Sequence, residues 1–346
     1  MSILKSATIF SLFFMLTLGG IEIYLQLSEI DLSYHRLHPE LGKTIQPDTR
    51  IIMLKEGFYL GKSNKYGYLG PAYPPEKSPD VFRIALMGDS YAEGFQLADK
   101  FHFRTILEKE LSERSGKQVE ILNFGSGNFN FHDMHLAYKN MAQDYHPDMV
   151  LYLLEPKRFI DRANYFIPSP YFYEEGEELK INYEFNERGL FKTYNKLAFL
   201  LENSSFLKMG QNSYKMVRQG RAPGIIFDKF YRMFRYSKAK DIDLEDVDDV
   251  IEITSLTERI VEDIAEGPPS VILFRKKYPD NLREMMDSYE LPHINLADTL
   301  DVMRLKGGLD NHPRYWKATS KKGHWNHEGH KLVGHYLGNQ LLPYIK

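Results

Sequence analysis

Ser90 stands at the end of an apolar run in "RIALMGDSYAEG" (residues 83–94), directly after Gly88 and Asp89. His324 lies far away, in "KKGHWNHEGHKLVGHYL" near the C-terminus. A serine hydroxyl attacks a carbonyl carbon when a base takes its proton and N–H donors meet the oxyanion that forms. Imidazole accepts a proton near neutral pH without special tuning. Two backbone donors suit the oxyanion. One is Ser90's own N–H at a strand-to-helix turn. The other is that of Gly127 in "LNFGSGN", where no side chain obstructs the approach.

Each of these residues also has a plain structural role open to it. Ser90 suits a helix N-cap, the glycines a tight turn, and His324 an exposed loop. Other chemistries fare worse. His312, His327, His330 and His335 invite a metal site, but their spacing does not match HExxH and no paired carboxylates accompany them. The chain has no cysteine, which excludes disulfides, thiol catalysis and Cys-ligated zinc. "GSGNFN" lacks the last glycine of a dinucleotide-binding fingerprint. A formal net charge of -3 gives no basic excess for nucleic acid.

The elements that must position Ser90 and His324 follow a βαβ rhythm from Val81 onward. Strand 83–87 leads into a helix, "FHFRTILEKELSERSG", with Phe103, Ile106, Leu107 and Leu111 on one face and Gly116 as its stop. "VEILNFGSG" is a second strand, "FHDMHLAYKNMAQDY" a helix and "PDMVLYLLEP" a third strand. After an interruption at residues 157–250, a helix near 251–266, the strand "SVILFRK", the helix "NLREMMDSYEL" and the short strand "HINLAD" resume the alternation. The last helix runs from about Asn326 to Leu342, with Trp325 and Asn326 anchoring and capping its first turn. The pattern predicts an α/β fold: a three-layer α/β/α, flavodoxin-like parallel sheet of about five strands with a mid-chain insertion. In such a sheet, ligands sit outside the carboxyl ends of the strands, where Ser90, Gly125–Gly127 and "EPKR" fall.

Residues 26–80 read as an irregular approach segment with one or two short strands, such as Arg50–Leu54. The insertion opens with hairpin-like sequence, "YFIPSPYFYEEGEELKINYEF". It continues through the basic and aromatic "YKMVRQGRAPGIIFDKFYRMFRYSKAK" into the acidic "DIDLEDVDDVIE". Either a solvated helical insertion or a surface for membrane or anionic polymer fits that pattern. At the N-terminus, no charge falls between Lys5 and Glu22, over a segment suited to an uncleaved signal-anchor (residues 1–25), a cleaved signal peptide or a buried helix. Lys5 before it and Glu22, Glu29 and Asp31 after it favour a single pass with the remainder (residues 81–346 foremost) outside the cytoplasm.

Taken with its context, "GDSYAEG" resembles the first motif of the SGNH/GDSL hydrolases. "LNFGSGN" is similar to their second block and "GHWNHEGHKLVG" to their last, and "NKYGYLG" resembles membrane-anchored members found with extracellular polysaccharide systems. The resemblance implies Ser90 as nucleophile, His324 as base, and an oxyanion hole from Ser90 and Gly127, with Gly125 as the fallback for the glycine because the second block is one residue shorter than its commoner form. It implies no cofactor. The expected activity is that of an extracytoplasmic serine esterase or deacetylase acting on an O-acylated carbohydrate or similar ester. An O-acetyltransferase for a cell-surface polysaccharide on the same scaffold, or a catalytically silent descendant that binds glycan or partner proteins, are the alternatives.

Two departures from the family pattern stand out. Its third block supplies an Asn, where this chain reads "EPKRFID", with Lys157 or Arg158 as electrostatic substitutes. The family's Asp shortly before the His is replaced by Lys321 or Lys322. A Ser–His dyad oriented by a backbone carbonyl, or help from Asp298 or Asp310, is what the sequence leaves open.

Overall fold

The computed structural model describes residues 2–27, 34–53, 56–127, 129–159, 169–176, 178–218, 250–307 and 312–345. Five strands form the central sheet: β1 (Val81–Gly88), β2 (Gln118–Asn123), β3 (Met149–Leu154), β4 (Ser270–Phe274) and β5 (His293–Asn295). Their spatial order is β2-β1-β3-β4-β5, and every pairing is parallel. Parallel strands covered on both faces read as unbroken apolar runs, which is why residues 84–87 show no polar alternation.

Alternate residues of those runs feed two separate cores. Ala85, Met87, Val150, Tyr152, Ile272 and Phe274 face one side. There they meet α4 (Phe131–Asn140), α7 (Ser255–Ala265) and α8 (Asp280–Ser288). Ile84, Leu86, Leu151, Leu153 and Leu273 face the other, against α3 (Phe103–Ser115), α9 (Leu296–Gly307) and α10 (His327–Ile345). The expected α/β/α sandwich is the observed one. Local signals hold at the ends as well: Gly116 closes α3 at φ 72°, and Asn130 and Asp133 form a capping box on α4.

The chain order reverses between β1 and β3, so their carboxyl ends flank the crevice where such sheets place ligands. Ser90 follows β1 and Glu155 follows β3. The segment before β1 is better ordered than its sequence implies. Arg50–Met53 pairs antiparallel with Tyr59–Lys62, making a ribbon whose connection carries Glu56. Leu69 then donates its N–H to Asn123 O, tying this segment to the end of β2.

A buried ion pair sets the opposite end of β1. Arg83, 1% exposed, holds Glu120 of β2 at 2.7 Å and also donates to the carbonyls of Pro75 and Tyr145. Removing one partner strands the other's charge in low dielectric. Arg83→Ala is expected to lower stability by about 3–5 kcal/mol, read as a shift of the urea midpoint at unchanged slope.

Two compact units divide the chain: Leu37–Asn186 with Ala239–Lys346, and Met1–Arg36 with Glu187–Lys238. The second holds α1 (Ser2–Leu27), α5 (Gly189–Asn203) and α6 (Ser205–Arg218). Within it, the Glu22 carboxylate accepts from Ser204 Oγ and from the N–H groups of Ser205 and Phe206, capping α6. The stretch Lys5–Gln26 of α1 is long and apolar enough to cross a membrane, and most of its large side chains are exposed, Leu25 excepted, unlike those of a buried core helix. The hairpin expected at the start of the insertion is present, Tyr171–Glu175 against Glu178–Asn182. The basic run beyond Arg218 and the acidic run up to Asp249 lie outside the described residues.

Candidate active site

Ser90 opens α2 (Ser90–Glu93), a single turn directly after β1. The turn is capped by Asp89, whose Oδ1 accepts the N–H of Tyr91 at 3.0 Å. It sits hard against the sheet. A Cβ on Gly88 would come within 2.6 Å of Ala92 Cβ, and one on Gly125 within 2.7 Å of Glu93 N. Those glycines are required by close approach, which brings the β2 loop alongside the serine turn. Asn123 fastens the two together, donating to Ala92 O at 2.6 Å and accepting from Gly125 N at 2.9 Å.

His324 arrives from the other end of the chain. Asn326 accepts from Gly329 N to cap α10 and donates to the carbonyls of His312 and Tyr315. Trp325 is buried against Tyr91 and Phe103, and His330 accepts the N–H of Phe103 at 3.1 Å. The indole of Trp316 holds His324 O at 3.0 Å. These anchors press the loop before α10 onto the serine turn. The result is a contact of 2.8 Å between Ser90 Oγ and His324 Nε2.

The other ring nitrogen finds a carboxylate that sequence reasoning missed. His324 Nδ1 lies 3.0 Å from Glu56 Oε2 and 3.1 Å from Glu56 Oε1. The same carboxylate accepts the backbone N–H of His324 at 2.7 Å, and Thr319 Oγ1 donates to Glu56 O. A carboxylate only accepts, so Nδ1 carries the proton and Nε2 is left as the acceptor for the serine hydroxyl. Burial pushes Glu56's carboxyl up. The hydrogen bonds from His324 and the charges of His324 and Arg314 outweigh that and hold it below its usual range. Gly323 makes room, since a Cβ there would stand 2.2 Å from the Glu56 carboxyl carbon.

Several expectations are thereby corrected. The ring is oriented by a side chain, not by a backbone carbonyl. Asp298 is not its partner; it sits at the start of α9, 3.2 Å from Asn295 Nδ2 and 4.0 Å from Lys277. Asp310 lies outside the described residues. Lys321 and Lys322 pair antiparallel with Trp316 and Tyr315. The only signal for Glu56 in the sequence was an acid between two short strands, and nothing local tied it to His324.

Of the oxyanion candidates, Ser90's N–H makes no hydrogen bond among the described residues. Gly125's is engaged by Asn123 Oδ1, which removes it as the alternative donor. Gly127's donates to the carboxylate of Glu93, a residue only 7% exposed whose Oε1 has no partner. Burial, with the Asp89 charge adding to it, pushes Glu93 up to about 7. A carboxyl raised in the fold is harmless below its free value of 4.5 and costs stability progressively as pH rises toward 7. Glu93→Gln is therefore expected to raise the melting temperature at pH 8 and leave it unchanged at pH 4.5.

His330 has a structural place. His330 is buried, and burial with the nearby His102, His327 and His324 drives its pKa well down, consistent with its neutral, accepting Nδ1. Among the described residues, no group of three or more His, Asp or Glu side chains is placed to hold a metal.

No family model matches the chain, and no curated protein does. Among solved structures, the chain is similar to the lipase/acylhydrolase from Enterococcus faecalis, at 10% identity and a TM-score of 0.39, over 77% of this chain and 97% of that one. It is also similar to an α/β hydrolase enzyme from the metagenome of Lake Arreo, Spain (10% identity, TM-score 0.38, 75% and 96% covered). A third is an acetyl xylan esterase (12% identity, TM-score 0.36, 75% and 100% covered).

Proposed function

We propose that the chain is a serine ester hydrolase that removes acyl groups from an O-acylated carbohydrate or similar ester, working outside the cytoplasmic membrane from an N-terminal anchor. The observation that carries this is the line Ser90 Oγ–His324 Nε2–His324 Nδ1–Glu56, with contacts of 2.8 and 3.0 Å. A hydroxyl, a base with its free nitrogen toward that hydroxyl, and an ionised carboxylate behind the base make up a nucleophilic triad in function.

In the first half-reaction, Ser90 Oγ bonds to the ester carbonyl carbon while its proton passes to His324 Nε2. The carbonyl oxygen becomes an oxyanion, met by Ser90's N–H and by that of Gly127 when it leaves Glu93. The carbon–oxygen bond to the alcohol then breaks, and the imidazolium returns its proton to the departing alkoxide. An acyl ester of Ser90 remains. Water repeats the sequence: His324 takes its proton, the water oxygen joins the acyl carbon, and Ser90 leaves with the proton restored. Glu56 stabilises the imidazolium in both halves without itself becoming protonated.

Labelling of the detergent-solubilised full chain with a fluorophosphonate tests the proposal. The adduct is expected on Ser90 by peptide mass spectrometry, and free acetate is expected from an acetylated oligosaccharide. No labelling at Ser90 refutes the hydrolase; acetyl transferred to an added sugar, in place of free acetate, converts it to an acyltransferase.

A further inference from the structure

The carboxyl ends of β3 and β4 carry a group of charges that the triad does not use. Lys157, Arg158, Arg275 and Lys276 surround two buried carboxylates, Asp89 and Glu155. Arg275 reaches Glu155 at 2.9 Å and Asp89 at 3.2 Å, and Lys157 and Lys276 reach Glu155 at 3.2 and 3.3 Å. Burial would raise Glu155's carboxyl, but Arg275, Lys276 and Lys157 hold it below its usual range. Among the described residues this cluster brings four cations to two buried carboxylates.

This excess lies beside the nucleophile. Asp89 is the residue before Ser90, and the Arg275 guanidinium stands 4.1 Å over the ring of Tyr91, the residue after it. That ring is in turn 4.6 Å from the ring of His324. The donors are also not exhausted. Arg158 Nε lies 3.7 Å from Glu155 and 3.9 Å from Asp89, beyond hydrogen-bond reach. It and Arg275 Nε are buried without a hydrogen-bond partner, although the Arg275 side chain is only 7% exposed. Lys157 is more than half exposed. Two cations would neutralise the two carboxylates; four, with the Arg158 side chain 30% exposed and that of Lys157 more so, leave positive charge open to an incoming acceptor.

We infer that the ester taken by this site carries a negative charge next to its acylated hydroxyl, a sugar carboxylate or a sugar phosphate, bound by Arg158 and Lys157 with Arg275 behind them. The inference rests on the esterase proposal for its chemistry and on the charge cluster for its specificity. Guanidinium groups match the planar acceptor pair of a carboxylate and the oxygens of a phosphate. A crevice lined by positive charge also concentrates an anionic substrate, in a manner that salt weakens.

The test is equilibrium binding to Ser90→Ala full chain in detergent, using an oligouronate, a sugar phosphate and a neutral oligosaccharide of matched length. At least one anionic probe is expected to bind about tenfold more tightly than the neutral one at low salt, with the advantage lost near 0.5 M NaCl. Adding Lys157→Gln and Arg158→Gln is expected to abolish the preference, and Arg158→Lys to retain part of it. Which anion binds identifies its source. Equal binding of all three probes, or a preference untouched by the double substitution, overturns the inference. Because binding needs no turnover, that failure is distinct from an absence of fluorophosphonate labelling, which overturns the esterase proposal instead.

Discussion

Ser90→Ala is expected to reduce kcat on an acetyl ester by between ten-thousand-fold and about a millionfold, the range for losing a nucleophile from a triad. Nothing else at the site replaces that oxygen. Asp89 accepts the Tyr91 N–H and faces Arg275, and Ser126 belongs to the β2 loop, its N–H on Gly88 O. The fold has little to lose. The cap of α2 is Asp89, and Ser90 Oγ contributes one half-buried hydrogen bond, so stability should change by about 1 kcal/mol or less. A purified variant with an unchanged melting temperature and activity within tenfold of wild type would remove Ser90 from the mechanism. His324→Ala should fall in the same range and add no further loss to the serine variant, because the two act as one unit.

The second large effect belongs to Glu56. Its carboxylate fixes Nδ1 as the protonated nitrogen, and on the proposed mechanism it stabilises the imidazolium formed when Ser90 gives up its proton. An amide at the same place can donate as well as accept, and so no longer enforces that tautomer. Glu56→Gln is expected to lower kcat by about a hundred- to ten-thousand-fold with little change in KM. Gly323→Ala should follow it without touching a polar group, since its new Cβ occupies the space of the Glu56 carboxyl. Stability carries a matching signature. A carboxyl whose folded pKa is depressed stabilises above its free value of 4.5, and that share is lost as pH falls through the lower folded value. Wild type should therefore weaken more steeply below pH 4.5 than Glu56→Gln, measured by thermal melting across pH 3 to 7. A kcat within threefold of wild type for Glu56→Gln would leave a working Ser90–His324 dyad, with Glu56 serving only to dock its ribbon.

The sheet was legible because each of its strands announces itself locally. A covered parallel strand must be apolar on both faces, so residues 84–87 and 149–154 stand out from any window, and Gly116 ends its helix by the same conformational freedom wherever it occurs. The serine was legible for the same reason: a small polar turn directly after such a strand has one place to be, the carboxyl edge of the sheet. Even the capping of the last helix by Asn326 follows from its position before an apolar stripe.

Glu56 was not legible, and its position in the chain explains why. The carboxylate that serves His324 lies 268 residues before it, at the tip of a four-residue-strand ribbon in a segment that looked irregular. An acid in a turn is the commonest of surface features, and no period or spacing links it to a histidine in another element. Gly127 shows the converse. Its lack of a side chain was visible, yet only the packed α2 turn shows that its N–H faces a buried Glu93.

The amino-acid order thus determined by itself which strands form the central sheet and which hydroxyl sits at its edge, because neighbours along the chain decide backbone conformation. Which carboxylate orients the imidazole, and which cations gather beside the serine, were decided only when remote segments packed. Those contacts follow from the shape and closure of the whole chain, to which no short window of residues has access.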